Sequence, residues 1–158
     1  MPAQEALAQP QQTSAPQAYG RRGADTPQQS GQPAAATTRT CLLVDDSRMI
    51  RKVGRKIVAK QGYEVSEAEN GQEALAKVRL AVPDLIILDW DMPVMTGIEF
   101  LAALRSENLP KRPKVVFCTT HSSAQDIHKA IDLGADEFCT KPFNEQSLLG
   151  KLGNIGAA

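Results

Sequence analysis

The sequence predicts an α/β domain with a mainly parallel, doubly wound sheet of five strands and five helices. Two observations support this fold class. From about residue 40 onward, short apolar runs of strand length alternate with longer amphipathic segments of helix length. Glycines follow two of the amphipathic segments, where helices commonly end. Strands that alternate with helices form βαβ units, and such units place their strands parallel to each other.

The five predicted strands differ in composition, and the difference predicts their places in the sheet. The first, third and fourth strands are continuously apolar, with the sequences CLLV at 41–44, LIIL at 85–88 and VVFC at 115–118. The second strand (63–68) and the fifth strand (136–140) contain more polar residues. Strands that helices cover on both faces are apolar throughout. We therefore expect the apolar strands in the centre of the sheet and the other two at its edges.

The predicted helices follow these strands, at approximately 48–61, 71–81, 97–107, 123–133 and 145–154. Ser47 is suited to cap the first helix, and Gly62 and Gly134 are suited to end two of the helices. The first helix also carries basic residues on the side that we expect to lie opposite its apolar face of Ile50, Val53 and Ile57; these are Arg48, Arg51, Lys52, Arg55 and Lys56. This row either docks an acidic partner or is an ordinary solvated face.

The first 38 residues differ in kind from the rest of the chain. They contain eight glutamines and five prolines, together with many alanines and few aliphatic side chains. Such a segment cannot bury enough apolar surface to offset the entropy that ordering costs. We therefore predict a disordered Pro/Gln/Ala-rich N-terminal extension at 1–38 and one folded domain at 39–158.

The composition limits the location and the partners that we expect. The 18 basic and 18 acidic residues balance, so nothing marks the chain as a nucleic-acid binder. The three cysteines lie in strand-like runs without metal-ligand spacing, which indicates reduced core residues. The sequence contains neither an apolar stretch of membrane-spanning length nor the pattern of a secretory signal. We predict a cytoplasmic protein that neither inserts into membranes nor binds nucleic acid.

Polar side chains follow four of the predicted strands at the edge where open parallel sheets bind their ligands. In chain order these residues are Asp45, Asp46, Asp89, Thr119, Thr120, Thr140 and Lys141. Three neighbouring carboxylates repel each other unless a cation neutralises them, and Mg²⁺ prefers such oxygen ligands. We therefore expect a magnesium site at the acid pair. Asp89, which ends the most apolar run, is the best candidate for a nucleophile in phosphoryl chemistry.

Residues 40–155 resemble the receiver domain of two-component response regulators, particularly the single-domain chemotaxis type called CheY. The resemblance rests on the motifs LLVDDSR, LIILDWDMPVMTGIEFL, PKVVFCTTH and GADEFCTKPF. It implies a flavodoxin-like, CheY-like sheet with the strand order 2-1-3-4-5. It also implies phosphorelay signal transduction, in which a sensor histidine kinase or a histidine phosphotransfer protein phosphorylates the receiver.

The resemblance assigns a role to each site residue. Asp89 would accept the phosphoryl group, with Lys141 and Thr119 as catalytic partners. The magnesium ligands would be Asp45 (largely through water), Asp46, Asp89 and the backbone carbonyl of Asp91. Thr119 would swing toward the phosphoryl group and Phe138 would turn inward behind it.

Further implied features concern the surroundings of the site. The Lys141–Pro142 peptide bond would be cis, and the face formed by the fourth helix, fifth strand and fifth helix would bind a downstream target protein. Asp91, Thr120 and His121 would tune the lifetime of the phosphoryl group. The protein would catalyse its own phosphorylation and dephosphorylation and would not be an enzyme that acts on other molecules. The sequence ends soon after the last helix, so we expect output through protein contact.

Other functions compete with this interpretation. The domain could be a phosphate sink or a phosphorylation-independent protein-interaction module. A phosphatase of the haloacid-dehalogenase kind would carry its nucleophile after the first strand in the pattern DxDx[TV], whereas this chain has VDDSR. A nucleotide-binding module would need a glycine-rich loop at that point. The C-terminal KLGNIGAA has one lysine and no arginine, which disfavours binding of a cyclic dinucleotide.

Overall fold

The computed structural model describes residues 38–158, so the predicted disorder of the first 37 residues lies outside the described residues. Five strands alternate with five helices in the described part. The strands are β1 (Thr40–Val44), β2 (Glu64–Ala68), β3 (Leu85–Leu88), β4 (Lys114–Thr119) and β5 (Glu137–Thr140). The helices are α1 (Arg48–Ala59), α2 (Gly71–Leu80), α3 (Gly97–Ser106), α4 (Ala124–Asp132) and α5 (Glu145–Asn154).

The strands form one parallel sheet in the order β2-β1-β3-β4-β5. The predicted fold class and the strand order are therefore confirmed. The continuously apolar strands β1, β3 and β4 occupy the centre, and the more polar β2 and β5 form the edges, as their composition predicted. Successive strands are added toward one edge of the sheet after β1 and toward the other edge from β3 onward, so the carboxyl ends of β1 and β3 flank the switch point where such sheets bind ligands.

The apolar side chains of the sheet form two core layers, because successive residues of a strand point to opposite faces. One layer contains Leu42, Ile86 and Phe117 and packs against α2, α3 and α4. The other layer packs against α1 and α5, and the cysteines Cys41, Cys118 and Cys139 belong to it. All three cysteines are buried and free, which confirms them as core residues. Within residues 38–158, no helix has the length and apolar character that crossing a membrane requires.

The helix α1 begins as predicted but turns a different side toward the core. The Ser47 side chain accepts a hydrogen bond from the backbone N–H of Ile50, which makes it the N-cap. Arg51 is buried, whereas Val53 is exposed over 38% of its surface. The predicted division of this helix into a basic outer side and an apolar inner side is therefore wrong at both positions. The inner face is formed by residues at helical spacing, namely Arg51, Gly54, Ile57 and Val58.

The beginning and the end of the folded domain meet at the amino edge of the sheet. The Arg39 guanidinium lies over the Tyr63 ring, 4.4 Å from its centroid. Arg39 also donates a hydrogen bond to the carbonyl of Gln61 over 2.7 Å. The Tyr63 hydroxyl donates to the carbonyl of Ala157 over 2.5 Å. These contacts join the start of β1 to the segment that follows α5.

Candidate functional site

Three carboxylates converge at the carboxyl edge of the central strands. Asp45 and Asp46 follow β1, and Asp89 follows the neighbouring strand β3. One oxygen from each of the three side chains lies within 4.8 Å of the others. Asp45 and Asp89 are only 5% and 6% exposed, whereas Asp46 faces solvent. Buried carboxylates at this spacing repel each other unless cationic groups neutralise them.

Lys141 supplies one positive charge to this cluster from the end of β5. Its Nζ lies 2.6 Å from Asp45 Oδ2 and 3.0 Å from Asp89 Oδ1. Its backbone N–H donates to the carbonyl of Thr119 over 2.9 Å, which aligns the ends of β4 and β5. The peptide bond between Lys141 and Pro142 is cis. The lysine side chain is 13% exposed, so its ammonium group acts largely away from bulk water.

The charges of the cluster remain unbalanced, since one ammonium group faces three carboxylates. Burial, together with the negative charge of Asp45, raises the pKa of Asp89 from 3.8 to about 6. Burial alone would lower the pKa of Lys141, but the bonds to Asp45 and Asp89 outweigh burial and raise it. A proton or a further cation at Asp89 would relieve the repulsion. All the side-chain donors at the cluster are oxygens, the chemistry that hard divalent cations prefer.

We expect Asp89→Asn to raise the free energy of unfolding by about 1–2 kcal/mol at pH 7 in the absence of divalent ions. The folded-state pKa lies above the unfolded value, so ionisation of Asp89 costs stability as the pH rises from about 4 to about 6. Asparagine does not ionise, and the difference should therefore disappear near pH 4. Urea unfolding at both pH values measures the effect. A variant that is less stable than the wild type at pH 7 would contradict this electrostatic explanation.

The main chain and the side chain of Asp45 are held by four different partners. Its N–H donates to the carbonyl of Ala68 over 3.1 Å, and its carbonyl accepts from Arg51 Nη1 over 2.6 Å. Its Oδ1 accepts from the Ser47 N–H over 2.8 Å, and its Oδ2 contacts Lys141. Asp45 is thus fixed on every side. The contact of Arg51 with the site was not predicted, because an arginine inside a row of basic residues resembles a surface residue.

The predicted switch residues lie around the end of β4. Thr119 is fully buried, and its hydroxyl accepts a hydrogen bond from the His121 N–H over 3.1 Å. Among the described residues, its hydroxyl makes no hydrogen bond to Asp89. Thr120 is exposed beside it. The Phe138 ring is 6% exposed and packs in the core with Phe117, so it already occupies the inward position.

His121 closes one side of the site by joining two loops. Its ring stacks on Trp90, with centroids 4.6 Å apart and planes inclined by 17°. Its Nε2 lies 2.9 Å from a carboxylate oxygen of Asp91, and its Nδ1 lies 3.4 Å from one of Asp126. Burial would lower the pKa of His121, but the two carboxylates raise it. Asp91 and His121 were predicted to flank the site, whereas the contacts of Trp90 and Asp126 with His121 were not predicted.

The loop between β3 and α3 brings the backbone close to Asp89. A Cβ atom on Gly97 would lie 2.0 Å from the carbonyl oxygen of Asp89, so only glycine fits there without movement of the main chain. Val94, in the same loop, has a φ of 68°, which is a strained conformation for a β-branched residue. The residues on either side of Val94 are joined by a hydrogen bond, which the Met95 N–H donates to the carbonyl of Pro93 over 2.7 Å. Residues 93–95 contain no glycine or asparagine, so this turn could not be predicted from the sequence.

Comparison with known proteins supplies independent information on the domain. A profile of the family described as response regulator receiver domain matches residues 41–153. The chain is 35% identical over 114 residues to the phosphate regulon transcriptional regulatory protein PhoB of Pseudomonas aeruginosa. This match covers 72% of the chain and 50% of PhoB, so the chain spans about half the length of that relative.

Solved structures show the same fold. The chemotaxis response regulator CheY4 of Vibrio cholerae is 39% identical, with a TM-score of 0.70, and the match covers 75% of this chain and 99% of CheY4. A CheX–CheY–BeF3–Mg²⁺ complex from Borrelia burgdorferi contains a chain that is 25% identical, with a TM-score of 0.69. That match covers 76% of this chain and 90% of the other.

Proposed function

The chain belongs to the response regulator receiver domain family, and from this premise we propose that it is a phosphorylation-activated switch. In this proposal Asp89 accepts a phosphoryl group in a Mg²⁺-dependent reaction, and the phosphorylated domain changes its contacts with another protein. The observation that carries the proposal is the convergence of three carboxylates within 4.8 Å, two of them bridged by Lys141. No other group of described residues combines acceptor, cation site and ammonium group in this way.

The donor set fits a magnesium ion. Asp45, Asp46, Asp89 and the backbone carbonyl of Asp91 would hold the ion, with Asp45 acting largely through water. When bound, Mg²⁺ would neutralise negative charge on the oxygens of the transferring phosphoryl group. The excess of carboxylates over ammonium groups and the raised pKa of Asp89 support a cation here. The presence of Mg²⁺ in the complex of the Borrelia burgdorferi CheY supports the same choice.

The hydrogen bonds of Asp89 indicate which of its oxygens would react. Oδ1 accepts from the Trp90 N–H over 2.8 Å and contacts Lys141 over 3.0 Å. The other oxygen makes no hydrogen bond within the described part of the chain, and we propose it as the nucleophile. It would form a bond to phosphorus while the bond from phosphorus to the donor's histidine nitrogen breaks. The electron pair leaves with the imidazole, and Lys141 would stabilise the charge on the phosphoryl oxygens.

The new charge on Asp89 would bias a packing element that has two states. Thr119 would give up its bond to the His121 N–H and turn toward the phosphoryl group. Phe138 lies behind it and would hold the inward position. Movement of the loop after β4 would carry the start of α4 with it, because His121 contacts Asp126 on that helix.

A sensor histidine kinase or a histidine phosphotransfer protein would be the donor, and the face formed by α4, β5 and α5 would contact the downstream protein. A shallow surface depression of about 520 Å³ lies along α4, lined by Ala124, Gln125, His128, Lys129, Asp132 and Leu133. The domain would also catalyse the hydrolysis of its own phosphoryl group. Asp91, Thr120 and His121, which flank the site at Asp89, would set the rate of this hydrolysis. The CheY of Borrelia burgdorferi is in a complex with another protein, CheX, and this supports output through protein contact.

Incubation of the purified protein with acetyl phosphate tests this function, with intact mass measured within seconds of mixing. We expect the wild type to gain the mass of one phosphoryl group in the presence of Mg²⁺ and none in the presence of EDTA. Asp89→Asn should gain nothing, whereas Asp132→Asn, on the exposed surface of α4, should behave as the wild type. A gain that survives in Asp89→Asn would show that the nucleophile is wrong. No gain in the wild type would favour a phosphorylation-independent interaction module.

A further inference from the structure

The buried guanidinium of Arg51 has no part in the phosphoryl transfer described above, yet it lies directly behind the acid pair. Its side chain is 9% exposed. Nε donates to Glu67 Oε1 over 2.8 Å, and Nη1 donates to the backbone carbonyl of Asp45 over 2.6 Å. An arginine is costly to bury unless its charge is paired and its donors are used. Here Nε of the guanidinium binds the carboxylate of Glu67 near the end of β2, and Nη1 binds the backbone carbonyl of Asp45.

The carbonyl that Arg51 binds belongs to the peptide group between Asp45 and Asp46. A peptide group is planar, so holding the carbonyl oxygen also orients the N–H and the Cα of Asp46. The Asp46 carboxylate needs such support, since it is exposed and forms no hydrogen bond or ion pair within residues 38–158. The Asp45 side chain, by contrast, is held by Ser47 and Lys141 independently of Arg51.

We propose that Arg51 is a positioning residue that fixes the Asp45–Asp46 peptide group and so aims the Asp46 carboxylate at the bound cation. The inference rests on the proposed function, because it assigns a role in Mg²⁺ affinity. Glu67, in β2, orients the guanidinium by accepting the hydrogen bond from its Nε. Groups that orient metal ligands without touching the metal commonly change metal affinity by about 10- to 100-fold.

The shape of the arginine side chain is essential to this role. The guanidinium donates in fixed directions from several nitrogens, whereas a lysine ammonium is a single point charge on a flexible stem. Lysine at this position would keep the positive charge, but its single ammonium group could not donate to both Glu67 and the Asp45 carbonyl in the directions that the planar guanidinium provides. Arg55 provides a matched control, because it donates to the other oxygen of Glu67 over 2.7 Å and, within the structure described, does not contact Asp45.

Titration with Mg²⁺ alone tests the proposal, with the fluorescence of Trp90 as the readout. Trp90 is the single tryptophan of the chain, and its backbone N–H donates to Asp89 Oδ1. We expect Arg51→Lys to weaken Mg²⁺ binding by about tenfold, whereas Arg55→Lys should stay within about twofold of the wild type. At saturating Mg²⁺, the rate of phosphorylation by acetyl phosphate should return to that of the wild type in Arg51→Lys. A role in stability alone would shift the thermal midpoint and leave the dissociation constant unchanged.

Glu67→Gln gives a second variant if Arg51→Lys does not fold, and it should weaken Mg²⁺ binding in the same direction. Equal Mg²⁺ affinity in folded Arg51→Lys and the wild type would overturn the role of Arg51 alone. Equal weakening in Arg51→Lys and Arg55→Lys would also overturn it, because the effect would then pass through Glu67 without the Asp45 carbonyl. A wild type that does not respond to Mg²⁺ would overturn both this role and the proposed function.

Discussion

Replacement of Lys141 by methionine is expected to lower the free energy of unfolding by about 3 kcal/mol at pH 7.5 without divalent ions. The Lys141 ammonium contacts Asp45 over 2.6 Å and Asp89 over 3.0 Å, and both carboxylates are buried. Methionine fills similar space but leaves the two negative charges without a cation. The pKa of Asp89, already about 6, should rise further in the variant. The loss should therefore be smaller at pH 5, where Asp89 is more often protonated, and it should grow as the pH rises.

Urea unfolding at pH 5 and pH 7.5 measures this loss, and Lys60→Met is a suitable control. Lys60 pairs with Glu145 over 3.0 Å, but both side chains are exposed, so this variant should change stability by less than about 1 kcal/mol. Addition of Mg²⁺ should restore part of the stability of Lys141→Met, because the ion supplies the missing positive charge. A variant as stable at pH 7.5 as Lys60→Met would show that the two carboxylates do not repel each other as the structure indicates.

Gly97→Ala is expected to destabilise the protein by about 3 kcal/mol or more. The added methyl group would lie 2.0 Å from the carbonyl oxygen of Asp89 and 3.0 Å from the Phe117 ring. The carbonyl belongs to the main chain, so the clash cannot be relieved by rotation of a flexible side chain. Either the start of α3 or the backbone of Asp89 must move. Movement of Asp89 should also weaken the Mg²⁺ response of Trp90 fluorescence.

Gly150→Ala provides the control for this substitution. Gly150 lies in α5, and a Cβ atom there would meet nothing within 4 Å. Alanine favours a helix over glycine by up to about 1 kcal/mol, so the control should be slightly more stable than the wild type. Chemical denaturation of both variants makes the comparison. If Gly97→Ala were as stable as Gly150→Ala, the backbone at α3 would have to lie farther from Asp89 than the structure places it.

The fold was predictable because its signals are local. The runs CLLV, LIIL and VVFC are apolar at every position, which only a strand covered on both faces requires. Ser47 lies directly before the first helical segment and caps it. The convergence of Asp45, Asp46, Asp89 and Lys141 was also predictable, since parallel strands bring all their carboxyl ends to one edge.

Other features of the site depend on contacts between distant segments, which local patterns do not report. Arg51 is buried because Glu67, sixteen residues further along the chain, accepts its hydrogen bond. The stacking of His121 on Trp90 joins two residues that are 31 positions apart in the chain. Val94 adopts a positive φ because the chain must turn between β3 and α3, although its own preference opposes that conformation. In each case tertiary structure outweighs the tendency of the single residue.

The contacts among Arg39, Tyr63 and Ala157 bear on how this domain can be built into larger proteins. Both ends of the folded domain leave from the amino edge of the sheet, whereas the carboxylates stand at the opposite edge. Residues 39–45 rise along β1 at about 3.3 Å each, which separates the two edges by about 20 Å. A surface loop of a host protein could therefore accept the domain as an insert with both splice points side by side. The edge that carries the three carboxylates would then face away from the host.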